Sequence, residues 1–131
     1  MIEAVIKAFG HILTLKVLLM ILAGLFGGLI SGALPGLTAT MAVALLVPFT
    51  FSMDPTEGLI VLGAIYMACI YGGAFSAILV NTPGTPSSIG TTFDGYPMAK
   101  KGEGERAILV ATYASVYGGI VGVIFLLFLS P

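Results

Sequence analysis

Residues 17–53 read VLLMILAGLFGGLISGALPGLTATMAVALLVPFTFSM, an unbroken stretch without a charged side chain. Wound as one α-helix at about 1.5 Å per residue, it would measure about 56 Å. A bilayer's hydrocarbon core is about 30 Å thick, so the stretch is too long for one crossing and short for two. It also carries its own breaks, Pro35-Gly36 and Pro48. Proline removes a backbone donor and clashes with the preceding turn. The simplest solution is a full crossing over 15–34 followed by a broken or re-entrant helix over 35–52.

The rest of the 131-residue chain follows the same logic. A second uncharged run, 58–93, contains Pro83-Gly84 and Pro86, and a third covers 107–131. The third would be about 37 Å long as a helix, which suits one tilted crossing. The second predicts a span over 57–80 and then a proline-glycine and basic loop over 81–106, and the third a span over 107–129. Charged residues make up 8% of the chain and hydrophobic ones 58%, against roughly 25% charged in a soluble domain. So few charges cannot cover a water-soluble globule. The reading is an all-α integral membrane protein, with about three transmembrane helices plus proline-glycine-broken or re-entrant segments. It excludes a soluble enzyme, a nucleic-acid binder and a secreted disulfide scaffold. The single Cys69 sits mid-run, as an inert buried thiol does.

Residues 1–14 place Ile2, Val5, Ile6, Phe9, Ile12 and Leu13 at helical spacing, with Glu3, Lys7 and His11 on the other side. This predicts an amphipathic helix in the membrane interface. Ser31-Gly32-Ala33 resembles a signal-peptide cleavage site, but the apolar region continues far past it. Small residues recur every fourth position in all three spans: Gly24, Gly28, Gly32 and Gly36; Ala64, Ala68, Gly72 and Ser76; Ala107, Ala111, Ser115 and Gly119. Such stripes let helix backbones approach closely. Gly24, Gly28, Gly32, Gly72, Ser76, Ser115 and Gly119 are therefore the expected packing positions. A weak echo pairs Tyr66 and Tyr71-Gly72-Gly73 with Tyr113 and Tyr117-Gly118-Gly119. Span geometry alone gives the same period, so a true repeat and a coincidence both stand.

Basic residues flank spans on the cytoplasmic side. Placing Lys7 and Lys16 together with Lys100, Lys101 and Arg106 in the cytoplasm requires 15–34 to cross outward, 36–52 to dip in and return to the same side, and 57–80 to cross inward. Asp54 and Glu57 would then face outward.

The chemistry points to the two breaks. One holds Pro35, Gly36, Thr38 and Thr40; the other holds Asn81, Thr82, Pro83, Gly84, Thr85, Ser87 and Ser88. Thr38 is placed to cap a helix starting at Ala39, and Thr85 to cap one whose first residue is Pro86. Non-helical backbone at membrane depth is tolerated where it is buried in protein or lines a cavity. Free N–H groups at helix starts favour anions, hydroxyls add neutral donors, and broken half-helices facing an anionic substrate recur in transporters. These residues form the candidate substrate site for a carboxylate, and unwound carbonyls suit a cation such as sodium. The same residue types are the common turn formers, so interfacial turns joining helices remain the competing reading. No metal cluster, nucleophile–base pair or phosphate loop is present, so neither an enzyme nor a resident metal or cofactor is expected. Asp94 is a candidate ion ligand or proton site, but Asp94-Gly95 with Tyr96-Pro97 reads more readily as a surface turn.

Two longer motifs carry a resemblance. One is Gly32-Ala33-Leu34-Pro35-Gly36-Leu37-Thr38-Ala39-Thr40 running on to Leu45-Leu46-Val47-Pro48-Phe49-Thr50. The other joins Tyr71-Gly72-Gly73, Ile78-Leu79-Val80-Asn81-Thr82-Pro83-Gly84-Thr85-Pro86 and Asp94-Gly95-Tyr96-Pro97-Met98-Ala99-Lys100. Over nearly the whole chain the sequence resembles the N-terminal portion of the large membrane subunit of the bacterial tripartite tricarboxylate transporters. The resemblance implies a multi-pass protein of the bacterial inner membrane that imports carboxylates on an Na⁺ or H⁺ gradient rather than ATP. It implies two partners, a small membrane subunit and a periplasmic solute-binding protein that delivers the substrate. That subunit is several times longer, which marks this chain as a fragment, a truncated product or one piece of a split subunit. A non-transporting helical scaffold that assembles other membrane subunits is the alternative.

Overall fold

The structure is a computed structural model that describes Gly10 and residues 12–129. The elements are α1 (Leu15–Ala33), α2 (Ala39–Thr50), α3 (Pro55–Val80), a 3-10 turn at Pro86–Ser88, α4 (Ile89–Lys100) and α5 (Gly104–Leu129), with no strand among the described residues. Helices α1, α3 and α5 are long and apolar enough to cross a membrane, and α2 is not. The chain is an all-α membrane protein. The amphipathic helix expected over 1–14, with His11, lies almost wholly outside the described residues.

Local chemistry sets the helix ends. Leu34-Pro35-Gly36-Leu37 closes a turn in which the Leu37 N–H donates to the Leu34 carbonyl at 3.3 Å. Pro35 takes the second position and Gly36, at φ +96°, the third, which is the type II pattern. Thr38 then caps α2, its hydroxyl accepting from the Met41 N–H at 3.3 Å. Asp54 caps α3 through the Thr56 N–H at 2.9 Å, with Pro55 at the first helical position. Helix α3 ends where Asn81 turns left-handed at φ 58° and the Thr82 N–H reaches back to the Ser76 carbonyl, a Schellman-type closure.

Helix directions follow from what meets what. A methyl built on Gly24 would touch Val61 and Ala64; on Gly28, Ile65 and Ala68; on Gly32, the backbone of Cys69. Numbers rise together, so α1 and α3 run parallel. At their shared start the Lys16 ammonium reaches the Glu57 carboxylate at 2.7 Å. Helix α2 runs back between them. Ala39 and Ala42 cluster with Ile65 and Cys69, while Thr50 sits by Gly58. Helix α4 is parallel to α3, since Ser88 lies by Gly73 and Gly95 against Ile78. Helix α5 is antiparallel to α3: Gly104 lies by Leu79, and the Tyr71 hydroxyl meets Thr112 Oγ1 at 2.5 Å.

This topology corrects the expected orientation. A segment that dipped and returned to the same side would make α1 and α3 antiparallel; the structure makes them parallel, with 34–54 carrying the chain back. Lys16 therefore sits at one end of the bundle with Asp54 and Glu57, and Lys100, Lys101 and Arg106 sit at the other. The two basic groups do not share a side. A 12-residue helix, about 18 Å long, makes the return. It suffices because α1 stops near the level of Cys69 and Gly72, about 12 Å short of the far end of α3. A second correction concerns Asp94-Gly95, which lies inside α4 rather than in a surface turn. The buried Gly95 packs on Ile78, and that packing holds the helix through a pair that reads locally as a turn.

Candidate functional site

The second break does not leave the bundle. After Val80 the chain doubles back, and Gly84 fits against the Gly32 carbonyl, with Ser76 Oγ and Gly73 Cα at 3.1 and 3.2 Å from where a methyl would stand. Gly73 lies seven positions before Val80, so the loop re-enters by about 10 Å. Gly32 itself lies just before Leu34-Pro35-Gly36. The second break thus meets the last turn of α1, just before Pro35-Gly36, at a depth well inside the length of α3.

The second break is buried and internally bonded. Thr85 and Ser88 are each 4% exposed. The Thr85 N–H donates to Ser88 Oγ at 3.3 Å, and the Ser88 hydroxyl donates to the Thr85 carbonyl at 2.7 Å. Ser76 Oγ donates to the Gly73 carbonyl at 3.0 Å. No buried side-chain nitrogen or oxygen among the described residues lacks a partner. Gly84, Thr85, Ser76 and the Ser88 hydroxyl therefore hold the loop in place. Asn81, exposed, supplies the left-handed cap, a conformation that asparagine tolerates better than most residues. Thr82 is exposed and bonds the Val80 carbonyl at 3.3 Å, and Pro83 is half-buried.

Beside this loop lies a cavity of about 400 Å³ between α3, the 3-10 turn, α4 and α5. Tyr71, Ser87, Ser88, Thr91 and Ser115 supply hydroxyls to its wall. Ser87, exposed, shares a 3.0 Å hydrogen bond with Thr85 Oγ1. Of the sequence candidates, Ser87 and Ser88 line this cavity. Ser115, expected as a packing position, lines it too. Pro35, Gly36, Thr38 and Thr40 do not line it; Pro35, Gly36 and Thr40 are exposed, and Thr40 Oγ1 lies 3.3 Å from Thr38 Oγ1. Gly119 meets nothing within 4 Å. Tyr71 and Thr91 were missed. The available signal was spacing: Ser87, Ser88 and Thr91 lie three and four apart, one helical face.

A helix-breaking segment buried within a bundle of apolar helices, with a hydroxyl-lined cavity alongside, defines an integral membrane protein whose irregular backbone is sheltered inside the protein. Residues 18–131 match the tripartite tricarboxylate transporter TctA family, and the chain belongs to that family. It is 41% identical over 108 residues to a protein of Agrobacterium vitis, described as an uncharacterised 52.8 kDa protein in the TAR-I ttuC' 3' region. The match covers 82% of this chain and 22% of that protein, so the chain spans about a fifth of its relative's length. No solved structure matches the chain.

Proposed function

We propose that this chain forms part of the substrate path of an ion-gradient-driven transporter in the bacterial inner membrane, importing tricarboxylates or related carboxylates. A small membrane subunit and a periplasmic binding protein are its partners, the latter delivering substrate. The observation that carries this reading is the re-entry of the second break, which seats Gly84 against Gly32 at the end of α1 beside the hydroxyl-lined cavity. At about 400 Å³ the cavity falls in the usual range for small-molecule sites, about 300–1,000 Å³. A carboxylate desolvated there needs donors. Ser87, Thr91 and Ser115 supply hydroxyls without a fixed cation, which would hold an anion too tightly to release.

The test uses the complete transporter in proteoliposomes with its binding protein and labelled citrate. The double variant Ser87→Ala, Thr91→Val should reduce uptake by about tenfold or more, equivalent to at least about 1.4 kcal/mol, while the protein inserts normally. Uptake equal to wild type removes the cavity from the substrate path.

A further inference from the structure

We infer that a further transmembrane helix of the full-length family protein docks in the cleft between the first half of α3 and the second half of α5, closing the open side of the hydroxyl-lined cavity. The two helices meet at one end only. Gly104 lies by Leu79, and Tyr71 bonds Thr112. Continued at that antiparallel register, Gly118 and Gly122 would stand level with residues 61–65 and pack on α3. They do not. A methyl built on Gly118, Gly119 or Gly122 meets nothing within 4 Å, and neither does one on Gly63 across the gap. Leu59 and Met67 are 72% and 60% exposed, and Ala107 is the one buried residue of α5 among the described residues. From Ser115 to Leu129 the open stretch measures about 21 Å, roughly two-thirds of a bilayer's hydrocarbon core.

The cavity shows what the cleft needs. Met67 and Ile70 line it from α3 and Ser115 from α5. Gly63 shares a helical face with Met67 and Ile70, and Gly118 and Gly122 share one with Ser115. The cavity therefore opens into the cleft. There the Ser115 hydroxyl and the irregular backbone at Pro86–Ser88 need cover, and an acyl chain offers neither a hydrogen bond. The two walls also carry glycine, which lets a third backbone approach closely. Glycine does the same work between α1 and α3, where Gly28, Gly32 and Gly72 meet backbone. The opposite face of α5 is different. Val116, Ile120, Ile124 and Phe128 are bulky, apolar and exposed, which suits lipid.

The occupant is argued from length. The match covers 22% of the 52.8 kDa relative, so about four-fifths of that protein lies outside it, ample for further helices. On the transport reading, which this one consequence rests on, the docked helix is the missing wall of the substrate cavity and faces the bound carboxylate.

Crosslinking in the complete transporter, in native membranes, tests the docking. Photoreactive benzoylphenylalanine incorporated at Leu59 or Met67 should couple to peptides of the same chain outside residues 1–131. The same group at Ile124 should give about tenfold less protein product, because lipid covers that face. Products with lipid alone from Leu59 and Met67 overturn the inference, and so does a product of doubled mass, which marks a second copy. A second measurement needs no photochemistry. Gly63→Leu and Gly122→Leu add bulk where these residues meet nothing within 4 Å, yet each should lower the melting temperature of the complete protein by about 2 °C or more. Ile120→Leu, on the lipid face, should leave it unchanged. Unaltered melting in both glycine variants also overturns the docking. Crosslinks to the outside helix in a protein that moves no citrate refute only the transport reading.

Discussion

The two proline-glycine breaks share a dipeptide and differ in what glycine does there. At Gly36 a side chain would have room, with nothing within 4 Å, but the backbone sits at φ +96°. At Gly84 the backbone is ordinary, and the Gly32 carbonyl occupies the place of a side chain. The first break needs glycine for conformation and the second for space. The first is an exposed turn that starts the return helix. The second is a buried plug that locks α1, α3 and α4 together beside the cavity. The same letters thus serve a hinge-like turn in one place and a packing point in the other.

Matched substitutions sharpen this contrast. Gly84→Leu should have the largest effect, because the neighbour is backbone and cannot swing aside. Overpacking of this kind costs about 1–3 kcal/mol or more, read as a lost or lowered melting transition in detergent. Gly36→Ala should cost less, about 1–2 kcal/mol of left-handed strain, and Gly36→Asn should recover part of it. If Gly36→Ala proves the more damaging of the two, the contrast fails. The caps should rank likewise. Thr85→Val, which removes a buried hydroxyl bonded to Ser87 Oγ at 3.0 Å and to Ser88 Oγ at 3.4 Å, should cost about 1–2 kcal/mol, and Thr38→Val, half-buried, about half of that. Equal losses in unfolding midpoint would show that burial does not separate the breaks. The smallest effect belongs to Asn81→Gly, which keeps the left-handed cap and should alter stability by only about a few tenths of a kcal/mol. A large loss there would show that the Asn81 side chain does more than permit its backbone.

Salt bridges contribute little to this picture. Lys16 is 65% exposed at its side chain, and exposed pairs are worth about 0–1 kcal/mol. The pair's value is diagnostic, since it fixes the shared starting end of α1 and α3. Close backbone approach along Gly24, Gly28, Gly32 and Gly72 carries the association. Helix α5 has no such partner over its second half: Gly118, Gly119 and Gly122 meet nothing within 4 Å.

Much of this was legible in the chain because it is local. Hydropathy marks apolar helices, and proline, glycine, threonine and asparagine mark their ends through φ restriction and capping. The cap at Thr38 and the breaks at Pro35 and Pro83 are decided within a few residues. The candidate site was legible only in part. Ser87 and Ser88 stand beside a conspicuous break, whereas Tyr71 and Thr91 sit inside helices, where a hydroxyl looks like any other until two helices are placed against it. Asp94-Gly95 misread for the same reason: a local turn signal yielded to Gly95 packing on Ile78.

The sequence by itself determined the membrane class, the three long apolar helices and the places where they break, because transfer free energy and backbone propensity act residue by residue; the helix Ile89–Lys100, inside the loop expected over 81–106, it did not. Only the tertiary structure decided direction. A 12-residue apolar helix is equally able to turn back or to carry the chain across. The glycine face of α1 docks on α3 with the two running parallel, which leaves 34–54 to make the return. The same packing put Gly32 against Gly84. The second break thereby came to rest against the last turn of α1, a juxtaposition that no local rule contains.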